Sequence, residues 1–170
     1  LSERGKAMQA AVPEGSGAMT AVIGMSLRDV EKEISLLPKN EVCEVANDNS
    51  NVQVVVSGTK LANEILNKNL KLKKKRGIVL PVSAPFHSSL MQGALEKMKD
   101  KIASSVFVKP KPSIISNVTA TDQNEPNMIK KLLVDQIVSK VRWRESVDFM
   151  IKNGVTEILE IGPGKVLSGL

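Results

Sequence analysis

Between residues 18 and 82 the apolar spacing switches repeatedly from two to three or four, and that switching limits the folds open to the chain. Residues 18–23 read as a short strand. Leu27, Val30, Ile34 and Leu37 then share one helical face, with Ser26 as N-cap and Asp29 in the capping-box position. Pro38-Lys39-Asn40 ends that helix. Residues 42–46 and 52–57 read as strands around a polar turn at 47–51. Gly58-Thr59 opens a helix over about 60–70, with Leu61, Ile65, Leu66 and Leu70 inward. A basic turn and a strand at 78–82 follow. Strand-helix-strand-strand-helix-strand is the ferredoxin-like unit (βαββαβ). It is the one part of the sequence that reads as a whole unit.

The remainder alternates more simply. Residues 1–10 read as a helix, followed by the turn-rich Val12-Pro13-Glu14-Gly15-Ser16-Gly17. Residues 88–104 read as a helix with Leu90, Met91, Leu95, Met98 and Ile102 inward. A short strand at 114–117, helices at 128–138 and 144–152, and a strand at 155–161 follow. Gly162-Pro163-Gly164 and the start of another helix close the chain. Such alternation implies an α/β layer with a parallel sheet. Two strands are too few for a parallel sheet covered on both faces. The missing strands are therefore expected outside this chain. The absence of an initial Met and the helical character of both ends fit a piece of a longer protein. No signal-peptide pattern is present, so the expected location is cytoplasmic.

Composition narrows the chemistry. One cysteine, Cys43, excludes a disulfide framework and a cysteine zinc site. One histidine, His87, excludes a histidine-rich metal site, so no metal is expected. With no Tyr, one Trp and three Phe, a base-stacking surface for nucleic acid is not expected. No apolar run approaches the ~18 residues of a membrane span. The net charge of +6 is local: Lys68, Lys71, Lys73, Lys74, Lys75 and Arg76 account for all of it. Such a run is either a solvated helix end or a site for an acidic partner.

A few residues could carry chemistry. His87 follows a strand and a Pro-punctuated turn and precedes a helix, where α/β enzymes place catalytic groups. Arg4, with Met8 one turn on, could clamp a carboxylate. Asn47, Asn49 and Gln53 could bind polar ligand groups or simply bond local backbone. Gly162-Pro163-Gly164-Lys165 lacks the spacing of a phosphate loop. No Gly-x-Ser-x-Gly elbow occurs, and no serine or cysteine lies in an activated setting.

Taken in order, several segments resemble the bacterial malonyl-CoA:acyl carrier protein transacylase family of fatty-acid synthesis. They are Arg4-Gly5-Lys6-Ala7-Met8-Gln9, Val12 to Met19, Asn47 to Gly58, Pro81 to Met91, Val141-Arg142-Trp143 and Glu160 to Leu170. The resemblance runs the whole length. It implies an α/β-hydrolase-like acyltransferase domain, here partial, with a complete ferredoxin-like small domain inserted. Residues 1–14 and 83–170 would belong to the large domain and 15–82 to the insert. It implies His87 as general base, oriented by a backbone carbonyl for which Arg142 is the candidate. It implies Arg4 on the malonyl carboxylate, Met8 and Phe86 along the acyl pocket, and Asn47, Asn49 and Gln53 near the coenzyme A arm. Malonyl-CoA and acyl carrier protein are the implied partners, with Lys71, Lys73, Lys74, Lys75 and Arg76 as the docking run. No cofactor, nucleic acid or membrane is implied, coenzyme A thioester being a substrate, and the protein is expected as a monomer.

The sequence departs from the family in four places, one of them being that the family's C-terminal helices past Leu170 are missing. The Gly-His-Ser-Leu-Gly elbow and the Gly-Gln-Gly-Ser-Gln segment are absent, and Lys140 stands where a proline is common. The 170 residues alone are therefore expected to lack turnover. The alternatives are an inactive fragment of a split acyltransferase gene, or a ferredoxin-like RNA-binding module. The strands lack the aromatics that such modules use.

Overall fold

The computed structural model describes residues 2–82, 84–162 and 164–170. The expected boundary at Ser83 and the centre of Gly162-Pro163-Gly164 thus lie outside the described residues.

The element order in the first half follows the apolar periods. Helix α1 (Ser2–Gln9) precedes β1 (Gly17–Ile23), α2 (Leu27–Ser35), β2 (Cys43–Ser50), β3 (Gln53–Thr59), α3 (Lys60–Leu72) and β4 (Arg76–Val79). The strands form one sheet in the order β2-β3-β1-β4, every neighbour antiparallel. Both helices begin as the sequence implies. The Ser26 hydroxyl oxygen accepts from the Asp29 N–H, and that of Thr59 from the Ala62 N–H.

Alternation along the strands builds two faces. Val22, Val54 and Val56 point to one side and pack on Val30, Leu66 and Leu70 of α2 and α3. Met19, Ala21 and Val55 point to the other, against Leu80 and Phe86. On the helix side the Asn67 amide donates to Thr20 Oγ1 (2.9 Å), and Thr20 donates to Asn63 Oδ1 (2.9 Å), so buried polar groups fix α3 on β1.

Three local expectations change. The turn at 47–51 is mostly strand, because β2 continues to Ser50 with register breaks between Val45 and Asn47 and between Asp48 and Ser50. Bulges absorb the extra residues and leave Asn51 and Val52 as the turn. Strand β4 starts at Arg76 rather than Ile78 and stops before Pro81, which has no N–H for a ladder. Leu61, expected inward, is about half exposed; Ala62, Leu66 and Leu70 form the inner row at four-residue spacing.

The second half is helical. A 3-10 turn (Ser89–Met91) leads into α4 (Gln92–Ser104). The two-residue strands β5 (Ile114–Ile115) and β6 (Asp122–Gln123) pair antiparallel, and α5 (Pro126–Asp135) and α6 (Trp143–Lys152) follow. Met8 of α1, Ala84, Met91, Ala94, Met98, Ile102 and Ile137 form a second core. The expected parallel layer is not formed among the described residues. Residues 155–161 have no ladder partner, and the segment after Gly164 reaches only one 3-10 turn, Leu167–Gly169. A strand exists through its neighbours' hydrogen bonds, and among the described residues no strand lies beside this one.

Candidate functional site

His87 lies in a tight turn between the two cores. Gly17 of β1 packs under the preceding Pro85; a Cβ there would meet the Pro85 ring at 2.3 Å. The buried Ser88 hydroxyl donates to the Pro85 carbonyl at 2.7 Å. Phe86 packs against two clusters, the one that holds Met19 and Ala21 and the one that holds Met8 and Met91. His87 itself has φ +58°, in the left-handed region. That backbone costs an L-residue roughly 1–2 kcal/mol and persists only where its surroundings fix it.

The imidazole is oriented by a carbonyl, but not that of Arg142. His87 Nδ1 lies 3.0 Å from the Gln136 carbonyl oxygen. Gln136 caps α5, and the last carbonyls of a helix lack intrahelical donors. The Arg142 carbonyl opens α6 instead and accepts from the Ser146 N–H (2.9 Å) and hydroxyl (2.8 Å). A carbonyl only accepts, so Nδ1 carries the hydrogen and Nε2 keeps its lone pair. Burial pushes the imidazole below its ordinary range. The Gln136 carbonyl pulls it back, the Arg4 charge pushes it down, and a backbone contact at Ser139 pulls it up. The net direction is down, so the ring is neutral near pH 7 and able to accept a proton.

Arg4 projects from α1, close enough for its charge to act on His87. Its Nε is buried without a hydrogen-bond partner among the described residues, and burial lowers its pKa. A partly buried guanidinium with a free donor suits bidentate pairing with a carboxylate. Met8, one turn on, is buried in the core that also holds Ala84, beside the histidine turn.

Asn47, Asn49 and Gln53 come together at the β2–β3 hairpin. The Asn49 amide donates to Gln53 Oε1 at 2.8 Å. Asn47 sits where Val141 forms an isolated parallel bridge with β2. The basic turn reaches the same end of the sheet, since Arg76 pairs with Ile23 and Ile23 with Gln53. Arg76 and Gln53 therefore share a face, roughly 10 Å apart by strand spacing. Lys73 is engaged elsewhere. It donates to both Glu33 carboxylate oxygens, at 2.6 and 2.7 Å, and ties the end of α3 to α2. Lys71, Lys74, Lys75 and Arg76 are exposed and make no ion pair among the described residues.

Sequence reasoning missed Gln136, because a backbone carbonyl has no side-chain signature; the C-terminal end of the preceding helix was the available signal. It also missed the fork between Asp48 and Arg144, which are 96 positions apart. Cys43 offers no substitute nucleophile. Burial, with Glu44 adding to it, pushes the thiol up to about 12. Among the described residues no group of three or more His, Cys, Asp or Glu could hold a metal. No helix there is long and apolar enough to cross a membrane.

The arrangement matches known proteins along the whole chain. It is 42% identical over 177 residues to the malonyl CoA-acyl carrier protein transacylase of Bacillus subtilis, covering 100% of this chain and 54% of that protein. The chain is a homologue of bacterial malonyl CoA-acyl carrier protein transacylases. The solved transacylase of Coxiella burnetii superimposes on this homologue with a TM-score of 0.95 at 36% identity, over 99% of this chain and 54% of that one. A malonyl-transacylase solved in complex with its type II PKS acyl-carrier protein superimposes with a TM-score of 0.94 at 37% identity, over 98% and 54%. The transacylase homologue thus spans about half the length of the curated relatives it matches. No protein-family profile matches the chain.

Proposed function

We propose that this chain supplies the base and the carboxylate clamp of a malonyl-CoA:acyl carrier protein S-malonyltransferase. One observation carries the reading: an imidazole held through Nδ1 by the Gln136 carbonyl, beside a guanidinium whose buried Nε has no partner among the described residues. A serine outside the 170 residues attacks the thioester carbonyl of malonyl-CoA, giving its proton to His87 Nε2. The C–S bond breaks and coenzyme A leaves with that proton. The carrier-protein thiol then gives its proton to Nε2 and attacks the serine ester, and the serine oxygen leaves with the proton. Arg4 pairs with the malonyl carboxylate, whose burial without a cation would be costly. Met8 and Phe86 line the acyl pocket, and Asn47, Asn49 and Gln53 meet the coenzyme A arm.

In this reading the β2-β3-β1-β4 sheet with α2 and α3 is a ferredoxin-like small domain, residues 15–82, inserted in an α/β-hydrolase-like domain. Lys71, Lys74, Lys75 and Arg76 attract the acidic carrier protein. The protein works as a cytoplasmic monomer without a cofactor, and the 170 residues alone do not turn over. The test is intact-mass analysis of the natural protein after brief exposure to malonyl-CoA. A malonyl adduct on one serine, absent in the isolated 170 residues, is expected. No adduct on the natural protein would overturn the reading.

A further inference from the structure

Strand β2 is an edge of the sheet, and an edge strand leaves a row of N–H and C=O groups unpaired. Here that edge is covered by the chain that follows the imidazole's anchor. The Val141 N–H donates to the Ala46 carbonyl at 2.8 Å, and the Asp48 N–H to the Val141 carbonyl at 2.9 Å. Two carboxylates of β2 extend this seam. Near its start, Glu44 accepts from the Ser89 N–H (2.8 Å) and hydroxyl (2.6 Å), two residues after His87 and at the start of a helical turn. Near its end, the fully buried Asp48 accepts from Arg144 Nε (3.2 Å) and Nη2 (2.7 Å). Asp48 lies between Asn47 and Asn49, and Arg144 lies eight residues beyond Gln136.

These contacts close a ring: His87 to Gln136, along the chain to Val141 and Arg144, across to Asp48, along β2 to Glu44, and back through Ser89 to His87. We propose that Glu44 and Asp48 are positioning residues that hold the imidazole and the amides of Asn47 and Asn49 in one frame. Glu44 fixes the turn that carries the imidazole. Asp48 fixes the hairpin that carries the amides. Neither touches the reacting atoms. A forked guanidinium–carboxylate pair resists rotation in a way a single contact does not, which suits it to setting an orientation. Misplacement by about 1 Å is enough to cost up to 10²-fold in rate. The assignment rests on the proposed transferase reading for what the frame serves, but not for its existence.

The two carboxylates act on different ends of the ring, and that makes them separable. In the natural protein, Glu44→Gln is expected to lower kcat about tenfold with little change in KM. It should also shift the titration midpoint of the His87 imidazole read by ¹⁵N NMR. Asp48→Asn is expected to raise KM for malonyl-CoA about tenfold while leaving that midpoint unchanged. If Asp48→Asn does not fold, Arg144→Lys replaces the fork by a single contact and should show the same KM effect in weaker form. The exchange Asp48→Arg with Arg144→Asp should restore part of the lost affinity. A uniform loss that follows melting temperature, with no KM-against-kcat split and no imidazole shift in Glu44→Gln, would overturn the proposal. Absence of malonyl transfer in the unmutated protein would sink the transferase reading instead, and the NMR comparison would still decide the frame.

Discussion

Leu66 in α3 is completely buried, whereas Leu159 is 78% exposed, although both belong to regularly spaced apolar stretches. The difference lies in where their partners come from. Around Leu66 each element finds its neighbours within sixty residues, so the sheet, α2 and α3 enclose a core of their own. Around Leu159 the stretch 155–161 finds no ladder partner among the described residues, and Ile158 and Ile161 are exposed with it. Apolar periodicity states what a segment would bury; a ladder partner decides whether it becomes a strand.

That contrast can be broken by measurement. Leu66→Ala should cost about 2–5 kcal/mol in denaturant unfolding, the range for a buried leucine. Gly17→Ala comes next. Its Cβ would meet the Pro85 ring, so a rigid neighbour must shift, at about 1–3 kcal/mol. The same variant should change the His87 imidazole signals, because Pro85 leads into that turn. Leu159→Ala in the 170-residue chain should stay within about 0.5 kcal/mol. A loss comparable with Leu66→Ala would mean that residues 155–161 are packed after all.

A pH experiment sharpens the comparison at the seam between the cores. His87 is held below its unfolded value of about 6.5. The unfolded chain then binds the proton more readily than the folded one. Stability should be unaffected above about pH 6.5 and fall as pH drops from there towards the folded midpoint. His87→Gln should flatten that part of the stability curve relative to the unmutated chain. An unchanged slope in the variant would assign the acid loss to other groups.

The sheet was legible because its signals are local: caps at Ser26 and Thr59, and the alternation of Met19, Ala21 and Val55 against Val22, Val54 and Val56. The extent of β2 was not, since the polar run from Asn47 to Asn51 reads as a turn until Val141 docks on its outer edge. At the site, His87 and Arg4 stood out by residue type, and the structure brings Arg4 near enough for its charge to add to burial in keeping the imidazole neutral. The histidine's carbonyl did not stand out. Both Arg142 and Gln136 lie at helix ends, and only the three-dimensional path puts the Gln136 oxygen on Nδ1. The basic run was legible as charge but not as individual roles, since Lys73 is bound by Glu33, forty positions away.

In the proposed function Arg4 and His87 serve transfer of an acyl group bearing a free carboxylate. The direct measurement is Arg4→Gln in the natural protein, comparing malonyl with acetyl transfer from coenzyme A to acyl carrier protein. Malonyl transfer is expected to fall by about 10²-fold or more while acetyl transfer holds or rises, since only malonyl loses a charge-assisted pair. Equal loss of both, or loss of neither, would contradict it.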